Sequence, residues 1–285
     1  MTSTPTLLAA AVIGTGLVAS AGAAPITEDF DGETTGSQAL GLVSQNSEAL
    51  FSIVNQGVGD DALQVELPAG LNSIPGNPAG ERARGQIADA TAFSGFSVSA
   101  SVSPERIRSS GGQIGVFAAA SDQTSFNADL DLGYHARIRA TALNFNATFV
   151  LELLDGETVL DSFDFGANGL VTGSFGAGTE DAVAFDLSLV GVVDGNGDLN
   201  LTATFTPDAA DNPTGATLQV LSGTVDAVDV GLGAGLYGVQ TSMPAGNPLI
   251  TSFDDVAIDV TPIPEPGAAA AGLLGLGSLL ARRSR

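Results

Sequence analysis

Six arginines fall between positions 82 and 139, and all of them occur as Arg-x-Arg pairs: Arg82 with Arg84, Arg106 with Arg108, and Arg137 with Arg139. Residues two apart on a β-strand share a face, so each pair turns two guanidinium groups to one surface. Guanidinium forks match carboxylate, sulfate and phosphate. If the three segments are neighbours, the pairs form one basic patch suited to an anionic polysaccharide. The competing reading is that they are taken up in ion pairs with nearby aspartates, each worth under about 1 kcal/mol.

The other chemistry-bearing residues argue against catalysis. Glu152 and Asp155 flank a hairpin turn and Glu180-Asp181 begins a strand, so neither couple points into one cleft as glycoside hydrolysis requires, and both read as solvated charge. There is no Gly-x-Ser-x-Gly and no thiol, and His135 is the single imidazole. Beside Tyr134 on a predicted strand, it reads as a half-buried structural residue. The run Gly231-Leu232-Gly233-Ala234-Gly235 leads into Leu236-Tyr237-Gly238-Val239, not a helix, so the dinucleotide-loop context is missing. Asp194-x-Asn196-x-Asp198 imitates the start of a calcium loop. Leu199 then replaces the turn glycine and Phe205 the bidentate glutamate, which leaves a glycine-rich hairpin turn. Asn127, Asp129 and Asp131 alternate on one strand face, the solvent side.

The elements that position these residues have period two. Phe96, Val98, Ala100 and Val102 alternate with Ser97, Ser99, Ser101 and Ser103; Leu199, Leu201, Ala203 and Phe205 alternate with Asn200, Thr202 and Thr204. Phe185, Leu187 and Leu189 follow the same rule, and Leu151 to Phe163, centred on Asp155-Gly156, reads as a hairpin. Leu67 to Gly80 and Pro207 to Gly215 read as long loops. No stretch between the two ends carries a capped 3.6-residue apolar pattern. About a dozen short strands with glycine-rich bends predict an all-β, two-sheet antiparallel sandwich. The net charge of −23, with no lysine, sets nucleic-acid binding aside and favours divalent cations or cationic partners. With no cysteine, disulfides and thiolate metal sites are excluded. A typical aromatic-stacking lectin is disfavoured, since there is no tryptophan and Phe96, Phe149, Phe185 and Phe205 sit in core-facing patterns.

Both ends read as addresses. Leu7 to Val18 is apolar or small, and Ala21-Gly22-Ala23 offers a signal-peptidase site, although Met1 to Thr6 lacks Lys and Arg. At the other end stand Pro264-Glu265-Pro266, an apolar run from Gly267 to Ala281, and a basic end with Arg282, Arg283 and Arg285. The run is shorter than the ~20 residues of an average spanning helix, and the arginines belong on the cytoplasmic side. This tail resembles the PEP-CTERM sorting signal of bacterial proteins. The resemblance implies processing by an exosortase, membrane association through a C-terminal hydrophobic helix at least before processing, and delivery to the cell envelope, cell surface or extracellular polysaccharide matrix. The expected organisation is a secretory signal at 1–23, a single sandwich domain at 24–261 and the sorting tail at 262–285.

A second resemblance covers roughly Ile26 to Val260. Asp29-Phe30-Asp31-Gly32, Phe96-Ser97-Val98-Ser99-Ala100 followed by Gln113-Ile114-Gly115-Val116, and Phe253-Asp254-Asp255-Val256-Ala257-Ile258 are similar to the concanavalin-like, laminin-G-type jelly rolls. The resemblance implies a jelly-roll sandwich whose first and last strands lie side by side. Asp29 and Asp31 would then approach Asp254 and Asp255, and alternation puts Asp254 on the face of Val256, Ile258 and Val260. Four such carboxylates need a cation or water, so the site is either a structural calcium ion or a hydrogen-bonded strand end. The expected function is that of a non-catalytic, exported structural or adhesive matrix protein, with signal peptidase, an exosortase-type enzyme and extracellular polysaccharide as partners. The alternatives are a carbohydrate-binding module for anionic polysaccharide and a divergent polysaccharide-acting enzyme.

Overall fold

Alternation of buried and exposed side chains governs the architecture. In the computed structural model, which describes residues 25–31, 33, 38, 40–44, 49–57, 60–67, 81–89, 92–107, 111–120, 133–141, 148–167, 169–172, 181–227, 235–243 and 249–263, every strand pairing is antiparallel. The expected signal segment, the Pro264-Glu265-Pro266 motif and the basic end lie outside the described residues, as do Asn127, Asp129 and Asp131. The strands are β1 (Ile26–Glu28), β2 (Gly41–Ser44), β3 (Leu50–Gly57), β4 (Asp60–Leu67), β5 (Glu81–Asp89), β6 (Phe93–Ile107), β7 (Gln113–Ala120) and β8 (Tyr134–Ala140). They continue as β9 (Thr148–Asp155), β10 (Thr158–Ala167), β11 (Val171–Thr172), β12 (Asp181–Ala182), β13 (Phe185–Val193), β14 (Leu199–Pro207), β15 (Gln219–Val225), β16 (Gly235–Met243) and β17 (Leu249–Pro262). The described residues contain no helix.

Two large sheets form the sandwich. One has the order β15-β14-β13-β6-β17-β4-β3 with β1 added alongside β17; the other has the order β10-β9-β8-β7-β16-β5-β2. The small pair β11-β12 forms a separate two-stranded sheet. Between the large sheets lie the predicted apolar sets: Phe96, Val98, Ala100 and Val102 of β6, Phe185, Leu187 and Leu189 of β13, and Leu199, Leu201, Ala203 and Phe205 of β14 are all buried in one cluster. From the seven-stranded sheet, Ile114, Val116, Ala136, Ile138, Phe149, Leu151, Tyr237 and Val239 join them. Burying each large side chain contributes roughly 1.5–3 kcal/mol, which a chain without disulfides depends on.

Turn chemistry follows the sequence. The β9–β10 hairpin bends at Gly156, whose φ is 55°. The Asp194–Asp198 segment closes the β13–β14 hairpin: Asp194 Oδ1 accepts from the amides of Asn196 (2.7 Å) and Asp198 (3.1 Å), and Gly197 takes φ 91°. The carboxylate thus caps the turn through its own backbone, as aspartate does in such loops.

The first and last strands lie side by side, with Glu28 opposite Val256 and Ile26 opposite Ile258. One expectation at this edge is corrected. A β-bulge between Asp254 and Ala257, with Asp255 at φ 46°, inserts an extra residue, so Phe253 and Val256 are both buried while Asp254 falls opposite Ser101 on the outer side. Strict alternation cannot foresee a bulge, which moves every later side chain to the other face.

Candidate functional site

The core-facing residues of the seven-stranded sheet leave the alternate set on its outer face. Cross-strand register arranges these in rows. One row runs Arg84, Gln240, Gly115, Arg137, Glu152 across β5, β16, β7, β8 and β9. The flanking rows run Arg82, Ser242, Gln113, Arg139 and Gln86, Gly238, Phe117, His135, Leu154. Two of the three arginine pairs therefore share one face and are separated by two intervening strands. Arg106 does not join them: it stands in β6 of the other sheet, opposite Ile250. Arg108 lies outside the described residues. Among the described residues, the arginines on this face are the four of β5 and β8.

Glu152 organises one side of this face. It receives Arg137 Nε at 2.8 Å and Arg139 Nε at 3.0 Å, with a further close pairing from Arg139 Nη2, and its side chain is 3% exposed. The expectation of a solvated carboxylate is corrected here. Glu152 lies inside β9, three residues before the turn, and its outward parity sets it between two guanidinium groups. Burial alone pushes its carboxyl up. The hydrogen bond from Arg139 and the charges and hydrogen bond of Arg137 outweigh that effect, so the net position is below the ordinary glutamate range. The same hydrogen bond raises Arg139 further, against the opposing effect of burial. The ion-pair reading of the arginines thus holds for one pair, yet two arginines sharing one carboxylate keep a positive balance.

On the other side, Arg84 is 1% exposed, its guanidinium carbon 4.5 Å from the centre of the Phe117 ring. Arg84 Nη2 donates to Gln240 Oε1 (3.3 Å), and Gln240 Nε2 lies 3.1 Å from His135 Nδ1. Arg137 Nη1 donates to Gln113 Oε1 at 3.0 Å. A cavity of about 300 Å³ opens among these groups, lined by Arg82, Gln113, His135, Arg137 and Gln240, with Gly156 and Glu157 of the β9–β10 turn as one wall. His135 is buried, but it lines a cavity, which its sequence neighbourhood did not suggest. Gln113 and Gln240 were not singled out from the sequence. The signal available was their occurrence at outward positions in otherwise apolar strands. A second cavity, of about 380 Å³, is lined by Ser101, Asp186 and Asp208 together with apolar groups and, among the described residues, has no cationic side chain. Charge, not size, distinguishes the two.

Three of the four terminal aspartates accept hydrogen bonds from backbone amides. Asp29 Oδ1 accepts from the Asp31 amide (3.2 Å), Asp31 Oδ1 from the Asp61 amide (3.0 Å), and Asp254 Oδ1 from the Asp255 amide (2.7 Å). Among the described residues, no group of three or more acidic, histidine or cysteine side chains could hold a metal ion.

No family model and no curated protein matches the sequence. Among solved structures, the seed lectin of Lotus tetragonolobus aligns over 85% of this chain and 100% of its own, with TM-score 0.51 and 10% identity. The likeness is one of fold. The lectin of Bauhinia forficata (12% identity, 84% of this chain, 99% of its own) gives a TM-score of 0.48. An alginate lyase from Aplysia kurodai (11%, 77% and 90%) gives 0.44.

Proposed function

We propose that this is an exported, non-catalytic protein of the bacterial cell surface or matrix whose sandwich binds polysaccharide on the outer face of the seven-stranded sheet. The observation that carries the reading is the convergence of Arg82, Arg84, Arg137 and Arg139 on one face of a chain with net charge −23, where Arg82 and Arg137 line a cavity of about 300 Å³. Ligand cavities begin near that size. The jelly-roll sandwich shared with a seed lectin supports the saccharide reading at the level of fold. Export rests on the sequence: the apolar segment before Ala23 supports handling by signal peptidase. Pro264-Glu265-Pro266, the apolar run and the terminal arginines support sorting by an exosortase-type enzyme.

The test is retention of the full chain on immobilised polysaccharides, compared with an Arg137→Met variant. Retention that weakens at least tenfold in the variant is expected, because one charged hydrogen-bond donor to the ligand is lost. Failure to bind any polysaccharide would remove the reading. Binding indifferent to Arg137 would move the site elsewhere.

A further inference from the structure

Two glutamines at the cavity are each turned by an arginine, and the orientation of each follows without ambiguity. A guanidinium group has only donors, so the glutamine atom facing it must be the carbonyl oxygen. Arg84 Nη2 therefore fixes Gln240 with Oε1 toward itself, which leaves Nε2 facing His135 Nδ1 at 3.1 Å. An amide nitrogen can only donate, so Nδ1 must accept, and the neutral ring carries its proton on Nε2. A second proton on Nδ1 would set two donors against each other. In the same way Arg137 Nη1 holds Gln113 Oε1 at 3.0 Å and leaves the Gln113 amide nitrogen as the end presented to the cavity.

Apart from Gln240, whose two ends are taken up by Arg84 and His135, the sheet side chains in the lining are donors: the guanidinium groups of Arg82 and Arg137, the Gln113 amide and the His135 ring. The carboxylate in the lining, Glu157, is exposed on the turn at one wall. A sugar hydroxyl both donates and accepts, whereas a carboxylate or sulfate oxygen only accepts. We propose that Gln113 and Gln240, oriented by Arg137 and Arg84, give the sheet side of this cavity a donor-bearing surface that takes the oxyanion substituent of an acidic saccharide in preference to neutral sugar hydroxyls. This rests on the saccharide reading above and names its ligand class; Gln240 acts in it as a positioning residue.

The chain has a single histidine, so its ring nitrogens can be observed without interference in the full chain labelled with ¹⁵N-histidine. The expected spectrum at neutral pH shows a neutral ring protonated at Nε2; a ring protonated at Nδ1 would overturn the positioning argument even if saccharide binds. Binding is measured in parallel to dextran, dextran sulfate and polygalacturonate. The charged polymers are expected to bind at least tenfold more tightly than dextran, and the pair of them separates sulfate from carboxylate as the preferred group. Gln113→Glu keeps the partner of Arg137 but turns an acceptor into the cavity, and should cost about tenfold for the charged polymers. Equal binding of dextran and the charged polymers would sink the oxyanion assignment and leave the saccharide reading standing. No binding to any of the three would sink both.

Discussion

Glu152 sits between Arg137 and Arg139 with its side chain 3% exposed, and removing its charge leaves two guanidinium groups facing each other without compensation. Glu152→Gln should therefore lower stability by about 2–3 kcal/mol in a urea titration, since breaking a buried charge-assisted pair leaves a desolvated partner. The pH dependence has a definite sign. The folded-state carboxyl titrates below its ordinary value, so the pair's stabilisation is complete above about pH 4.3 and is lost as pH falls through the lowered folded value. In the variant, that part of the acid sensitivity disappears. The sequence made the arginine pairing and its shared face legible through period-two spacing, but it could not show which acid answers them. Glu152 and Asp155 look alike in a string of letters; only the parity of β9 sets Glu152 on the face of Arg137 and Arg139.

At the scale of the element, β6 and β13 show how closely two strands can determine each other. Gly191 of β13 stands opposite Phe96 of β6, and a methyl group on Gly191 would meet the Phe96 ring edge. That ring is itself fixed, packing edge-on to Phe93 at 5.2 Å and stacked with Tyr134 at 5.8 Å. Gly191→Ala should destabilise by about 1–3 kcal/mol, the usual cost of overpacking, as read from thermal and urea unfolding. Loss of stability should be relieved when Phe96 is exchanged for leucine in the same chain. Strand positions and hairpins were legible because apolar residues recur every second position between Asp-Gly and Asn-Gly turns. The bulge at Asp255 was not. It adds one residue at φ 46° that no alternation encodes, and it reverses the side on which Asp254 stands.

For the whole molecule, 32 acids against nine arginines leave the surface self-repelling, while one sheet face gathers four of those arginines. Salt acts on these two features in opposite directions. Raising salt from about 0.01 M to 0.15 M shortens the screening length from about 30 Å to about 8 Å, which relieves the general repulsion. The melting temperature should rise by about 2–4 °C, as roughly 1 kcal/mol gives for a domain of this size. Polysaccharide binding should weaken over the same range, because the attraction to the arginine face is screened as well. A melting temperature that fell with salt would show that attractive pairs, not net repulsion, dominate. The sandwich class and the side-by-side terminal strands were legible from strand patterning and the resemblance it carried. That β5 and β8 lie three strand spacings apart in one sheet, and β6 in the other, is a matter of long-range order that local patterning does not contain.

The most direct measurement follows the His135 ring resonances while a polysaccharide fragment is titrated into the full chain, since this single imidazole lines the cavity between Gln240 and Arg137. A saturating shift of those resonances, with the same midpoint as binding measured by calorimetry, is the expected result. Calorimetric binding with unmoved ring resonances would place the saccharide away from this face and contradict the assignment of the site.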